Sequence, residues 1–99
     1  MGRDHNYYVY LLASKRNGTL YCGMTGNLLG RIHTHRQNLI GGFTRRYGVH
    51  MLVWYQWTDQ IESAILREKQ IKKWNRAWKI RLIEETNPQW EDLYPKLFE

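Results

Sequence analysis

The sequence predicts an α/β domain: a small, mainly antiparallel, three-stranded sheet flanked by helices in the order β-β-α-β-α-α. Three observations carry this. Two β-rich apolar runs are separated by Asn17-Gly18, the strongest short hairpin signal. A third run of the same kind follows after a helical stretch. The remaining apolar residues recur at helical spacing between Gly, Asn and Pro punctuation.

The first strand is the run Tyr7 to Ala13, and the second is Thr19 to Gly23. With Asn17 and Gly18 as a two-residue turn, Ser14 faces Tyr21, and Tyr10 and Tyr21 share one face of the sheet with an offset along the strands. Asn27 is placed to cap a helix on which Leu28, Ile32, His35 and Leu39 form one stripe, with Arg31 at its edge. Gly41-Gly42 ends that helix, and Phe43 to Gly48 is expected as a basic loop. Val49 to Trp57 is the third strand. Asp59 and Glu62 have the spacing of a capping box for a helix from about Gln60 to Trp74. Asn75 interrupts that helix, a further segment runs from Arg76 to Glu85, and Asn87-Pro88 ends it. In the tail, Trp90, Leu93, Tyr94, Leu97 and Phe98 are expected to pack back on the body.

The 99 residues suit one domain spanning 1–99, with a core over about 7–90 and a tail at 91–99. Five Trp and seven Tyr carry much of the apolar mass, so many should sit half-buried with a polar tip at the surface. A single cysteine, Cys22, excludes an internal disulfide and a cysteine-based zinc cluster, which makes a reducing cytoplasm the default. Met1 to His5 is polar, and the longest apolar run, Tyr7 to Ala13, is too short to span a bilayer; neither a secretory signal nor a membrane partner is expected.

The layout of the +6 net charge matters more than its size. Between Asp4 and Asp59 there is no acid, while seven Lys/Arg and one acid, Glu68, lie between Arg67 and Arg81. Such a field attracts polyanions and releases their counterions on binding, so nucleic acid outweighs a merely solvated basic surface. Arg36, Arg45, Arg46, Lys72 and Lys73 are the residues expected to contact it.

Two residues look out of place on their helices. At about 100° per residue, Glu68 falls near the centre of the stripe Ile61, Ala64, Ile65 and Ile71. An inward carboxylate is costly unless it is paired or binds a cation. It is either one half of an ion pair with an arginine or a ligand for one Mg²⁺ ion, which takes one or two carboxylates with water and phosphate oxygens. His35 repeats the anomaly on the first helix, one turn after Arg31. Alone it is a satisfied core histidine; with Arg31 it offers an imidazole beside a phosphate-binding guanidinium. Tyr10 and Tyr21 are ordinary strand aromatics unless a nearby cation lowers a phenol into use as a base.

These residues in this order resemble the GIY-YIG nuclease domain. The first motif reads Tyr8-Val9-Tyr10 and the second Tyr21-Cys22-Gly23; the match continues through Gly23-Met24-Thr25 to Arg31 and His35, and on to Ala64 and Glu68. The likeness covers roughly Tyr8 to Trp90 and is strongest to small stand-alone bacterial members. Tyr8 replaces the first motif's glycine, and Cys22 the second motif's isoleucine. The resemblance implies a catalytic set of Tyr10, Tyr21, Arg31, His35 and Glu68. Tyr10 would activate water, Tyr21 would support it, Arg31 would stabilise the phosphate, and Glu68 would hold one Mg²⁺ or Mn²⁺. Gly23 would allow close backbone approach. The family tends to place an asparagine downstream of the glutamate; Asn87 is the better candidate over Asn75, though ending a helix before Pro88 explains it equally well.

The implied activity is metal-dependent hydrolysis of phosphodiesters in DNA, with DNA favoured over RNA, on branched, damaged or single-stranded forms. The alternative is a nucleic-acid-binding module that keeps the fold but cuts little or needs a protein partner for targeting.

Overall fold

The computed structural model describes residues 5–37 and 42–98. The elements run β1 (Tyr7–Ala13), β2 (Leu20–Thr25), α1 (Leu28–Arg36), α2 (Phe43–Tyr47), β3 (Met51–Thr58), α3 (Ile61–Lys73) and α4 (Arg76–Thr86), with a 3₁₀ turn at Tyr94–Phe98. The expected fold class is observed. The sheet order is β2-β1-β3, and both pairings are antiparallel.

Because β1 is central, both its faces are covered, which is why Tyr7–Ala13 is apolar throughout. Val9, Leu11 and Ala13 join Cys22, Ala64, Ile71, Ile83 and Trp90 in one core. Tyr10 and Leu12 join Leu28, Ile32, Val49 and Leu52 in the other. Helices α3 and α4 therefore cover one face, and α1 with the tail covers the opposite one. A bulge in β3, between the partners of Leu11 and Leu12, keeps both faces in register with β1.

The hairpin differs from the sequence expectation. Ala13 pairs with Leu20 and Leu12 with Tyr21, so the connection is the four residues Lys15 to Gly18. Ser14 N–H donates to the Thr19 carbonyl across its mouth at 3.0 Å. A two-residue type I′ turn needs positive φ at both central positions, and here only Asn17 (φ 58°) has it. The register moves by two residues, an even number, so Tyr10 and Tyr21 still share a face. Their offset shrinks: Tyr10 faces Gly23, which puts Tyr21 diagonally next to it.

Other boundaries also move. Asn27 caps α1 as expected, accepting from the Gly30 N–H at 3.1 Å. Leu39 and Gly41 lie outside the described residues. The basic stretch from Phe43 is a short helix, not a loop, with left-handed Gly48 as its C-cap. Asp59 and Glu62 form no capping box: α3 begins after Gln60, which has no side-chain cap bond, and Thr58 Oγ1 accepts the Gln60 N–H instead. Asn75 separates α3 from α4 by capping the latter, accepting from the Trp78 N–H at 2.9 Å. Trp90, Leu93, Tyr94 and Leu97 pack inward, but Phe98 is 65% exposed and touches the body through an edge-to-face contact with Tyr94. Among the described residues no helix is long and apolar enough to cross a membrane.

Candidate active site at the edge strand

β2 is an edge strand, so helices on opposite faces of the sheet can both approach it. Tyr10 reaches it from β1. The partner of Tyr10 is Gly23, and a Cβ there would lie 2.6 Å from the Tyr10 hydroxyl and 2.7 Å from its Cζ. The glycine is thus the space into which the Tyr10 ring extends. The close approach at Gly23 is that of the Tyr10 ring to the β2 backbone.

The Tyr10 hydroxyl lies 3.3 Å from His35 Nε2, and His35 Nδ1 lies 3.1 Å from Thr44 Oγ1. All three residues are buried. Burial first, then Arg31 and His50, lower the His35 pKa and keep the ring neutral. A neutral ring with its proton on Nδ1 donates to Thr44 and accepts from Tyr10. Half-buried Tyr21 closes the group, its ring centroid 6.4 Å from Tyr10, 5.6 Å from His35 and 6.2 Å from Phe43.

Thr44 and Phe43 were not singled out by sequence reasoning. The available signal was His35 itself, because a buried imidazole needs a partner for each ring nitrogen.

Arg31 is exposed and lines an open cleft of about 560 Å³ with Thr25, Asn27, Gly30, His33 and Thr34. Its charge acts on both Tyr10 and His35. On the phenol, however, it does not win. Burial pushes the Tyr10 pKa well above the usual tyrosine range, Tyr21 adds to the rise, and Arg31 opposes it. Arg31 alone therefore does not lower the phenol: desolvation outweighs the guanidinium.

Glu68 approaches from the other face. Helix α3 buries Ala64 and Ile71 and half-buries Glu68 between them, while Ile61 and Ile65 are exposed, contrary to the expected stripe. The Glu68 side chain is 21% exposed and pairs with Lys72 at 3.2 Å, one turn along the same helix, and, among the described residues, not with an arginine. Its charge is felt at Tyr10 and at Cys22, whose thiol is pushed up to about 11 by burial first and Glu68 second.

The donor chemistry fits a Mg²⁺ or Mn²⁺ ion held loosely. Among the described residues no three of His, Cys, Asp and Glu cluster together. Mg²⁺ keeps several waters and commonly takes only one or two carboxylates beside substrate phosphate, so a single half-open carboxylate can suffice.

Two expected residues have other work. Asn87 is buried at the end of α4; its amide donates to the carbonyls of Val53 and Glu91 and its oxygen accepts from the Glu91 N–H. It is spent on tying the chain to β3, the edge opposite β2. Arg36, expected to contact nucleic acid, forms an ion pair with Asp92 and lies 4.6 Å over the Tyr94 ring. Arg45, Arg46 and Lys73 are exposed, and Lys72 is held by Glu68.

Residues 6–81 match the model of the GIY-YIG catalytic domain. The chain belongs to the GIY-YIG family. It is similar to small bacterial UPF0213 proteins along most of their length. That of Staphylococcus haemolyticus is 34% identical over 80% of this chain and 95% of its own. That of Syntrophus aciditrophicus is 36% identical over 83% and 93%. The solution structure of the UPF0213 protein BH0048 from Bacillus halodurans aligns with a TM-score of 0.56 at 29% identity, covering 88% of this chain and 92% of that one. A GIY-YIG domain points to the nuclease class and to a nucleic-acid substrate.

Proposed function

We propose that this GIY-YIG chain is a cytoplasmic, divalent-metal-dependent endonuclease that hydrolyses phosphodiester bonds in DNA, on branched, damaged or single-stranded forms. The observation that carries the reading is that Tyr10, Tyr21 and His35 interlock at the edge strand, with the exposed Arg31 one helical turn before His35 on α1.

Arg31 binds the scissile phosphate from the open cleft. The Tyr10 oxygen takes a proton from the attacking water as its own hydroxyl proton passes to His35 Nε2. This sequence never requires a free phenolate, which suits a phenol whose ionisation is opposed by burial. With the Thr44 hydroxyl accepting from Nδ1–H, Nε2 is left able to accept. The water oxygen bonds to phosphorus, and the bond to the leaving oxygen breaks. Glu68 would hold the single Mg²⁺ or Mn²⁺, which supplies charge neutralisation at the leaving oxygen. Lys72, which pairs with Glu68 at 3.2 Å, would have to release the carboxylate for Glu68 to serve as a ligand.

The test is incubation of the purified protein with labelled duplex, branched and single-stranded DNA and with RNA, with and without Mg²⁺ or Mn²⁺. Cleavage should require metal and fall by about 100-fold or more in Tyr10→Phe, the scale of general-base catalysis. It should be lost in Glu68→Ala; equal cleavage by that variant sinks the mechanism. The ion pair Glu68–Lys72 favours one other reading, a binding module that cuts little without a partner. Salt-sensitive binding with no cleavage of any substrate would select it.

A further inference from the structure

A second aromatic cluster lies away from the tyrosines, where α3 meets α4. Trp74, Trp78, Arg81, Leu82 and Glu85 line a cavity of about 260 Å³. On α4 these residues stand at i, i+3, i+4 and i+7 from Trp78, which places them on one stripe. The stripe is only partly spent on the core: Leu82 is buried in it, while Trp78 is 52% exposed. The two indoles meet edge to face at 5.9 Å. Trp74 is held in turn by Arg67, whose guanidinium lies 5.3 Å over its ring and is itself bonded to Gln56 and Gln70. One indole is thus fixed and the other stands open to solvent.

The surroundings decide what could use this surface. An apolar cleft alone would suit a protein partner as well as a base. Here α3 and α4 carry seven Lys/Arg against four acids, and six of the seven basic residues lie between Glu68 and Glu84, around the two indoles. Lys69, Lys73 and Arg81 are exposed. Helices α3 and α4 pack on one face of the sheet, the face from which Glu68 approaches, so this cationic surface and the proposed metal ligand lie on the same side. Open indole within a basic field is the combination that holds single strands, with bases on the rings and phosphates on the cations. A duplex keeps its bases stacked and offers only its backbone.

We propose that the Trp74–Trp78 cleft is a stacking site for an unpaired nucleobase, with Arg81 and Glu85 at the base edge and the neighbouring lysines on the flanking phosphates. It rests on the nuclease reading for its substrate, and it selects single-stranded or unpaired DNA within that reading.

The test is fluorescence anisotropy of a labelled single-stranded oligonucleotide and of its duplex, on the full chain in EDTA, so that binding is read without cleavage. Trp78→Ala should weaken single-strand binding by about tenfold or more, the scale of one lost base–aromatic stack, and change duplex binding less than about twofold. Trp78→Phe should restore most of the loss. Unchanged single-strand affinity in Trp78→Ala would overturn the proposal and leave the cleft to a protein partner. An equal loss on single strand and duplex would overturn it too, since the indole would then serve only general affinity. Failure of the nuclease assay would leave this result standing, because no step here depends on catalysis.

Discussion

Tyr10 is 2% exposed, and its hydroxyl has two sources of constraint: the His35 ring that it meets and the Gly23 backbone that makes room for it. The identities of Tyr10, Tyr21, Arg31, His35 and Glu68 were legible in the sequence because each breaks a local pattern or falls in a motif. Their energetics were not. Whether a phenol rises or falls depends on the balance of burial against a charge several residues away in space, which no spacing rule contains. His35 gives a test of that balance. Its pKa is lowered in the folded chain, so between the ordinary histidine value of about 6.5 and the lower folded value the unfolded chain binds the extra proton. Stability therefore falls as pH falls through that window and is fully retained above it. The groups that face the ring are Tyr10, Tyr21 and Thr44, with Arg31 and His50 acting on it electrostatically. Thermal melts at pH 7.5 and 5.5 should show a larger loss in the wild type than in His35→Gln. The same difference in both would remove the argument for a neutral, desolvated ring. Cleavage should decline only at the acid end of that window, as pH falls through the folded value, since a protonated Nε2 accepts nothing from Tyr10.

At the level of elements, the three strands and the helices covering them were legible because their apolar runs have distinct periods and are separated by Asn, Gly and Pro. The hairpin register was not, because Asn17-Gly18 signals a turn without fixing how many residues close it, and only the φ values decide. The stripe on α3 was misjudged for a related reason. Ile61 and Ile65 fit the periodicity, but the helix rests on β2 and β1 through Ala64, Ile71 and the stems near Glu68. The pairing of Tyr10 on β1 with Gly23 on β2 makes a prediction of its own. Gly→Ala in a strand ordinarily stabilises slightly by restricting the unfolded chain. At Gly23 a Cβ would sit 2.6 Å from the Tyr10 hydroxyl, and the ring has His35 and Tyr21 behind it. The clash should win, costing about 1–3 kcal/mol as overpacking does. Urea unfolding of Gly23→Ala measures it. A variant as stable as the wild type and equally active would show that the Tyr10 ring can move aside, and that its placement is not essential to the site.

Across the whole molecule, the charge that first suggested nucleic acid is not uniformly available to it. Arg36 is neutralised by Asp92, a residue that also accepts from the Leu52 and Tyr94 N–H groups and so fastens the tail to β3. Arg76 donates to the carbonyls of Asn17 and Gly18 and braces the hairpin against α4. Lys72 is held by Glu68. Arg31, Arg45, Arg46 and Lys73, by contrast, present exposed side chains. The sequence shows both kinds of arginine alike, since the distinction arises from contacts between residues as far apart as 36 and 92. Salt dependence separates them. Each phosphate contact contributes about 0.9 to the slope of log affinity against log salt on duplex DNA and about 0.7 on a single strand. Arg45→Ala and Arg46→Ala should each flatten the slope by an amount of that order, in a titration from low to moderate salt. Arg36→Ala should leave the slope unchanged, because its charge already has a carboxylate, and should instead lower the melting temperature by loosening the tail. A slope flattened as much by Arg36→Ala as by Arg45→Ala would mean that the Asp92 pair opens on binding, and that the tail shifts when nucleic acid arrives.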